Sequence, residues 1–361
     1  MIGSHYILRT AALREVGGLG PELAEDHSTC MILNAGGWRG VHAMDAIAYG
    51  EGPDTLADMI TQEFQWSRTL MALLLHYTPR YLERLPWRLR FQFLFCQALY
   101  PMIALTAVLI YALPIAALAF DTPFADVTYQ AFLAHSIPTL ATILLFATMI
   151  SRDGLGRPTN ARVISWEKAL FLLLQWPWVA WACIMAVRDR LTGGFVEFRI
   201  TPKGSAKVAS LPNKVILVYA VLMLGCTVPI VLFQAQHAAG FYLLSGFNGV
   251  LYAAIVVIAV VAQLRENASA VWIKRTVGLQ FGTVGILCTL LVLAFTLRSP
   301  EGAQALTYGA PFAVTRAEYV VSGAGRGMDQ GAMRVRFITP VWKDNSTDLA
   351  QQKKEISNAN P

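Results

Sequence analysis

Six apolar stretches, at 99–120, 131–150, 168–187, 214–234, 246–264 and 278–297, dominate the chain from Phe91 onward. Each approaches the ~20 residues that an α-helix needs to cross a ~30 Å hydrocarbon core. Backbone polar groups in hydrocarbon must be satisfied within the element, so the pattern predicts helices there. Residues 1–70 differ. Short apolar runs alternate with turn residues, at Gly17-Gly18, Gly36-Gly37 and Gly50-Glu51-Gly52-Pro53, and read as soluble α/β structure. Ala24–Ala35 is predicted as a short helix, with Glu25 and Asp26 at its positive end and Gly36-Gly37 closing it. A sheet drawn from 70 residues is small and poorly covered, so this block reads as part of a larger domain. The expected fold class is a multi-pass α-helical membrane protein with a partial cytosolic α/β domain at the N-terminus.

Composition agrees. The chain is 55% hydrophobic and 14% charged, with mean hydropathy +0.47. Soluble proteins carry about 25% charge, so extensive disorder and an ordinary soluble enzyme are both excluded. The five cysteines are odd in number and far apart, and they read as free thiols. The first residues show no charged start followed by an apolar core, so no signal peptide is expected.

The net charge of +6 matters through its placement. The links 121–130 and 235–245 contain no Lys or Arg. The links 151–167, 188–214 and 265–277 carry three, six and three basic residues, which marks them as cytoplasmic. Loops 151–167 and 188–214 then lie on one side, although an apolar segment separates them. Segment 163–188 is therefore expected in the interface, with Trp166, Trp176, Trp178 and Trp181 at headgroup level and Pro177 breaking a straight span. Five crossings remain: a pair within 99–150 and three within 214–297. Residues 71–98 read as amphipathic interface helices, with Arg88 and Arg90 beside aromatics in Pro86–Gln97. The tail 298–361 is expected outside and partly disordered, with strand-like runs at Glu318–Val321 and Arg334–Ile338. No nucleic-acid partner is expected.

Three elements carry candidate chemistry. Glu25-Asp26 is either a general base with its neighbour or two acids favouring a helix start. Gln62, Gln65, Trp66 and Arg68 read on their own as an amphipathic helix with a core Trp. Phe198, Thr201 and Lys203 lie in a basic loop, 189–213, which reads on its own as a juxtamembrane segment attracted to anionic lipid.

The text Gly3-Ser4, Leu8-Arg9, Val16-Gly17-Gly18, Glu25-Asp26, Gly37-Trp38-Arg39-Gly40 and Gly52-Pro53, followed by Gln62–Trp66 as a variant of QxxRW, resembles the C-terminal half of a family-2 glycosyltransferase domain of the cellulose-synthase-like type. Phe198–Lys203 is similar to the FxVTxK gating loop of processive synthases, with Ile200 for Val. The resemblance covers residues 1–265. It implies that 1–70 is the C-terminal part of a GT-A-like domain and that a sugar passes from a nucleotide-sugar, a UDP-sugar by expectation, to a growing glycan. Asp26 aligns with the base and Glu25 precedes it. Gln62 and Trp66 align with acceptor-binding residues. Gln65 stands where the family has Arg, so positive charge beside the leaving diphosphate is lacking, and Arg68 is one turn away. Thr201 and Lys203 would meet the nucleotide phosphates.

The family's complete enzymes use Mg²⁺ or Mn²⁺ held by Asp-containing motifs, and this sequence has no DxD. The expectation is a chain that lacks the nucleotide- and metal-binding half, is inactive alone, and is completed by a longer polypeptide or a separately encoded partner. Partners are the nucleotide-sugar, the glycan and the bilayer, at a bacterial-type inner membrane. The alternative is a non-catalytic membrane scaffold or transporter subunit that reuses the fold.

Overall fold

The computed structural model describes residues 5–20, 24–43, 46–47, 50, 52–53, 55–124, 127–156, 161–194, 213–266, 273–307, 315–321 and 331–337. Among these residues the elements are helices α1 (Thr10–Glu15), α2 (Glu25–Ala35), α3 (Leu56–His76), α4 (Thr78–Leu82), α5 (Trp87–Phe120), α6 (Tyr129–Arg152), α7 (Trp166–Thr192), α8 (Asn213–Leu232), α9 (Phe241–Glu266) and α10 (Ile273–Thr307), then strands β1 (Thr315–Val321) and β2 (Gly331–Phe337). Six helices, α5 to α10, are long and apolar enough to cross a membrane.

Three expectations change. No strand occurs among the described residues of 1–70, so the α/β layering is not present there. The interface helix over Pro86–Gln97 and the span 99–120 form one continuous 34-residue helix, α5. No turn-forming residue separates them, and Pro101 does not stop the helix. The break expected at Pro177 is also absent: α7 is 27 residues long with the proline inside it. Proline removes a ring of the hydrogen-bond ladder, and the freed carbonyls need other donors. Pro177 frees the carbonyl of Leu173, and the next carbonyl along, that of Leu174, accepts the hydroxyl of Tyr219 at 2.5 Å. α7 therefore joins the other five long helices by length and composition.

The chain divides into two compact units. The first comprises Met1–Tyr111, Glu167–Leu222 and Tyr252–Ile286. Its small helices are well closed. Gly37 takes φ +86° after α2, and the N–H groups of Gly37 and Trp38 reach the carbonyls of Asn34 and Leu33. That is the left-handed closure glycine favours. α3 begins with a reciprocal cap, in which Thr55 accepts the Asp58 N–H at 3.2 Å and donates its hydroxyl to the Asp58 carboxylate at 2.6 Å. Met31, Leu85 and Phe93 form a buried cluster joining α2 to the start of α5. Farther along, Trp176 donates to the Tyr252 hydroxyl at 3.0 Å and Trp178 to the Tyr219 hydroxyl at 3.0 Å. The Tyr111 ring lies about as close to Trp176 as to Tyr252, at 6.0 and 5.9 Å. Trp176 is thus buried among helices, whereas Trp166 and Trp181 are exposed.

The second unit comprises Ala112–Trp166, Met223–Leu251 and Leu287–Pro361. Its core holds Ala117, Leu118, Ile230, Ala235, Ala238, Tyr242 and Ala294. Tyr242 accepts the Ala235 N–H at 2.7 Å and donates to the Phe233 carbonyl at 2.8 Å, which closes the turn after α8. Asp121, at φ 44°, accepts the N–H groups of His237 and Ala238. Ser245, Gly246 and Gly249 give α9 a face of small residues, and Ser245 donates to the Cys226 carbonyl at 2.7 Å. Small residues let membrane helices approach closely. β1 and β2 pair antiparallel from Thr315↔Phe337 to Val321↔Gly331, as the strand-like runs of the sequence anticipate.

A Cβ at Gly246 would lie 2.9 Å from the Phe295 ring. Gly246→Leu is expected to lower stability by about 1–3 kcal/mol, the usual range for overpacking. Gly282→Leu, at a position with open space around it, should change little. Thermal unfolding in detergent compares the two.

Candidate functional site

The candidate residues lie on α2 and α3, and both helices pack on α4. α2 starts at Glu25, with both acids in its first turn. The Asp26 carboxylate accepts the N–H of His27 at 2.8 Å. Behind it, Thr29 accepts the Gly20 N–H at 2.8 Å, which ties the glycine run to the helix. A Cβ at Gly20 would collide with Ser28, so the close approach requires glycine.

His27 is held from the other side. The Gln97 amide nitrogen lies 3.0 Å from His27 Nε2, and the Thr78 hydroxyl donates to Gln97 Oε1 at 2.6 Å. The Gln97 amide then donates to His27, so Nε2 is the accepting nitrogen and the proton sits on Nδ1. Phe93 meets the imidazole edge-on at 5.2 Å. Gln97 and Thr78 are buried. Burial holds the His27 pKa below its ordinary value of 6.5, against the opposing pull of the Asp26 carboxylate. The residue beside Asp26 is thereby a neutral imidazole fixed between α4 and α5.

On α3, Trp66 is exposed and Gln62, one turn earlier, is half-buried. Residues four apart share a helix face. Gln65 is buried. Glu63 is buried too, and desolvation raises its pKa above the ordinary 4.5. Arg68 does not stand free: its Nε and NH2 groups reach one oxygen of Asp189 at 2.7 and 2.5 Å, and its guanidinium lies 5.8 Å from the Phe64 ring centre. Asp189 belongs to the last turns of α7, just before Gly193 at φ +69°. Phe198, Thr201 and Lys203 lie outside the described residues.

The structure thus places Glu25 and Asp26 in the first turn of α2, and Gln62, Gln65, Trp66 and Arg68 along α3. Sequence reasoning missed His27 and its holders Thr78 and Gln97, together with Asp189 and Glu63. Asp189 is an acid between Arg188 and Arg190, and Gln97 is a polar residue within the apolar run Phe93–Tyr100. Each is an exception to its surroundings, which is the pattern that could have found it. Glu63 lies inside the Gln62–Trp66 text and carried no such mark. Among the described residues no three His, Cys, Asp or Glu side chains form a group able to hold a metal ion.

A family model described as Glycosyl transferase family group 2 matches residues 1–297. Comparison with curated proteins and with solved structures gives no match.

Because the folded protein resists protonating His27, the unfolded chain binds the extra proton first, and stability falls as pH drops through 6.5. His27→Gln should flatten that acid-side decline. Gln97→Leu leaves the His27 nitrogen without its donor and the Thr78 hydroxyl with only the Met31 sulfur, and should cost about 1–3 kcal/mol. Unfolding midpoints measured across pH 5 to 8 (roughly the His titration range) check both.

Proposed function

The chain belongs to glycosyl transferase family group 2, and on that premise we propose that it is the membrane-embedded, acceptor-side portion of a cellulose-synthase-like, processive polysaccharide synthase. It transfers sugar from a nucleotide-sugar, a UDP-sugar by this reading, to the growing glycan and passes the product across the membrane. The acceptor hydroxyl oxygen attacks the anomeric carbon and forms the new C–O bond. Asp26, with Glu25 beside it, takes the hydroxyl proton. The bond from the anomeric carbon to the diphosphate breaks, and the nucleoside diphosphate leaves with the electron pair. Trp66 offers an indole face to the apolar side of a pyranose, and Gln62 bonds its hydroxyls. Gln65 donates a neutral hydrogen bond where the family's Arg would bring charge. Phe198, Thr201 and Lys203 form the loop that covers the nucleotide phosphates. Carboxylates from a further glycosyltransferase half would hold Mg²⁺ or Mn²⁺.

The observation that supports this reading is the exposed Trp66 and half-buried Gln62, four apart on one face of α3. Gln65 in the place of Arg supports a second reading, a non-catalytic scaffold or transporter subunit, and the assays below separate the two.

The Arg68–Asp189 pair supports the topology of this reading. Arg68 precedes α5, and Asp189 ends α7. An ion pair puts both on one face of the bilayer. α5 and α6 are two crossings, which return the chain to that face before α7 begins. α7 then starts and ends on the same side, and five crossings remain. The basic link 188–214 supports that side as cytoplasmic, in a bacterial-type inner membrane, with the N-terminal segment there.

Three outcomes are expected. Titration of the purified chain with cello-, chito- and hyaluronan-type oligosaccharides shows binding to at least one, weakened about tenfold or more by Trp66→Ala, given the energy of a buried aromatic contact. Equal binding by both proteins removes the acceptor reading. The purified 361-residue chain alone incorporates no labelled sugar, while in an assembly of this chain that does, Asp26→Asn lowers incorporation by about 10²–10⁴-fold. Single cysteines placed at 165 and 191 in a cysteine-free background label from the same face, and opposite labelling refutes the topology.

A further inference from the structure

The first three turns of α5 present an aromatic face without a protein partner. Trp87, Phe91 and Phe95, spaced i, i+4 and i+8, are 73%, 67% and 50% exposed, and the two Phe rings stack at 6.0 Å. The same helix is anchored on its other side, where Phe93 packs with Met31 and Leu85. The exposed face is therefore not a fraying end. It belongs to a helix held in place, and it continues through Leu99 and Met102, also exposed, into a membrane-spanning segment.

Positive charge surrounds this face. Between residues 77 and 98 there are four arginines and one acid, Glu83. Arg90 is committed locally: its Nε donates to the Leu85 carbonyl at 2.6 Å and a terminal nitrogen donates to the Glu83 carbonyl at 2.7 Å. Arg80, Arg84 and Arg88 are exposed, and among the described residues none of them forms an ion pair. Arg88 lies 5.6 Å from the Trp87 ring centre and Arg80 5.7 Å from that of Tyr77, so two of the three guanidinium groups stack on aromatic rings. A stacked guanidinium still offers its in-plane N–H groups to an anion.

We propose that Arg80, Arg84 and Arg88, with the Trp87–Phe91–Phe95 face, form a docking surface for anionic phospholipid headgroups. The aromatic rings sit at the depth where indole and phenyl groups leave hydrocarbon for the headgroup layer, and the arginines meet phosphodiester and the further negative charge of the anionic lipid. Zwitterionic lipid satisfies the aromatic half of the surface but leaves the charge unbalanced. A protein occupant would call for acidic or apolar complementarity along the whole face, whereas continuity with the span makes lipid the neighbour already at hand. The inference does not depend on glycosyl transfer.

The test uses the full chain in nanodiscs of phosphatidylcholine containing brominated lipid, carried either on phosphatidylglycerol or on phosphatidylcholine at the same mole fraction. Bromine quenches nearby indole fluorescence, and the Trp87 contribution is the signal of the parent minus that of Trp87→Phe. Brominated phosphatidylglycerol should quench Trp87 more strongly, corresponding to a local enrichment of about fivefold or more, given roughly a fivefold factor per surface arginine before competition from salt. The combined Arg80→Gln, Arg84→Gln and Arg88→Gln variant should quench equally with both lipids, while the triple lysine variant keeps the preference. These arginines are exposed and Arg90 is untouched, so the fold is retained, which circular dichroism checks. Equal quenching in the parent, a preference that survives the glutamine variant, or no quenching by either lipid overturns the proposal, the last outcome placing the face against water or another protein.

Discussion

A carbonyl, an indole N–H or a hydroxyl inside a lipid-embedded bundle has no water to fall back on. Its partner has to come from the protein, and that need decides how these helices meet. In the first unit the proline of α7 frees one carbonyl, and a tyrosine of α8 donates to the next. The indoles of Trp176 and Trp178 each find a tyrosine oxygen. In the second unit one hydroxyl, that of Tyr242, serves both an N–H and a carbonyl at the end of α8, and Arg298 adds donors to the carbonyls of Ile230 and Phe233 while lying over the same ring. Aromatic residues with a polar tip do this work because one end tolerates hydrocarbon and the other completes a hydrogen bond.

The N-terminal helices obey the same rule at the edge of the bundle. α2 is too short to be stable alone. It persists because Met31 enters an apolar cluster and because His27 and Thr29 exchange hydrogen bonds with α5 and the preceding glycine run. The acids at its start are thus carried on an anchored helix. Arg68 ties the other helix of the candidate site to the end of α7. For a guanidinium with low exposure, pairing with a carboxylate is the stable state, and any anionic ligand of Arg68 has to compete with Asp189 for it.

Much of the fold could be read from the sequence. Hydropathy located the long helices, and acids followed by paired glycines located α2, because both reflect properties local to the chain. Pro177 and the 86–99 boundary were misread for a shared reason. Proline and arginine are penalties that a sequence rule applies in isolation, whereas Tyr219 adds a hydrogen bond beside the first from 42 residues away and the aqueous edge of the bilayer tolerates the second. The described residues of 1–70 hold helices and no strand, since short apolar runs between turns fit helices and loops as well as strands. In the site, the sequence named the residues on α2 and α3 but not their holders. Gln97 is 70 residues from His27 and Asp189 is 121 from Arg68, and no local pattern encodes such pairings.

The amide that grips His27 sits on a helix that continues without interruption toward the lipid. α5 at 34 residues measures about 51 Å, of which the apolar stretch 99–120 accounts for about 33 Å, close to the ~30 Å of hydrocarbon. Gln97 stands just before that stretch, so one uninterrupted helix both enters the lipid and carries the amide that orients the imidazole next to Asp26.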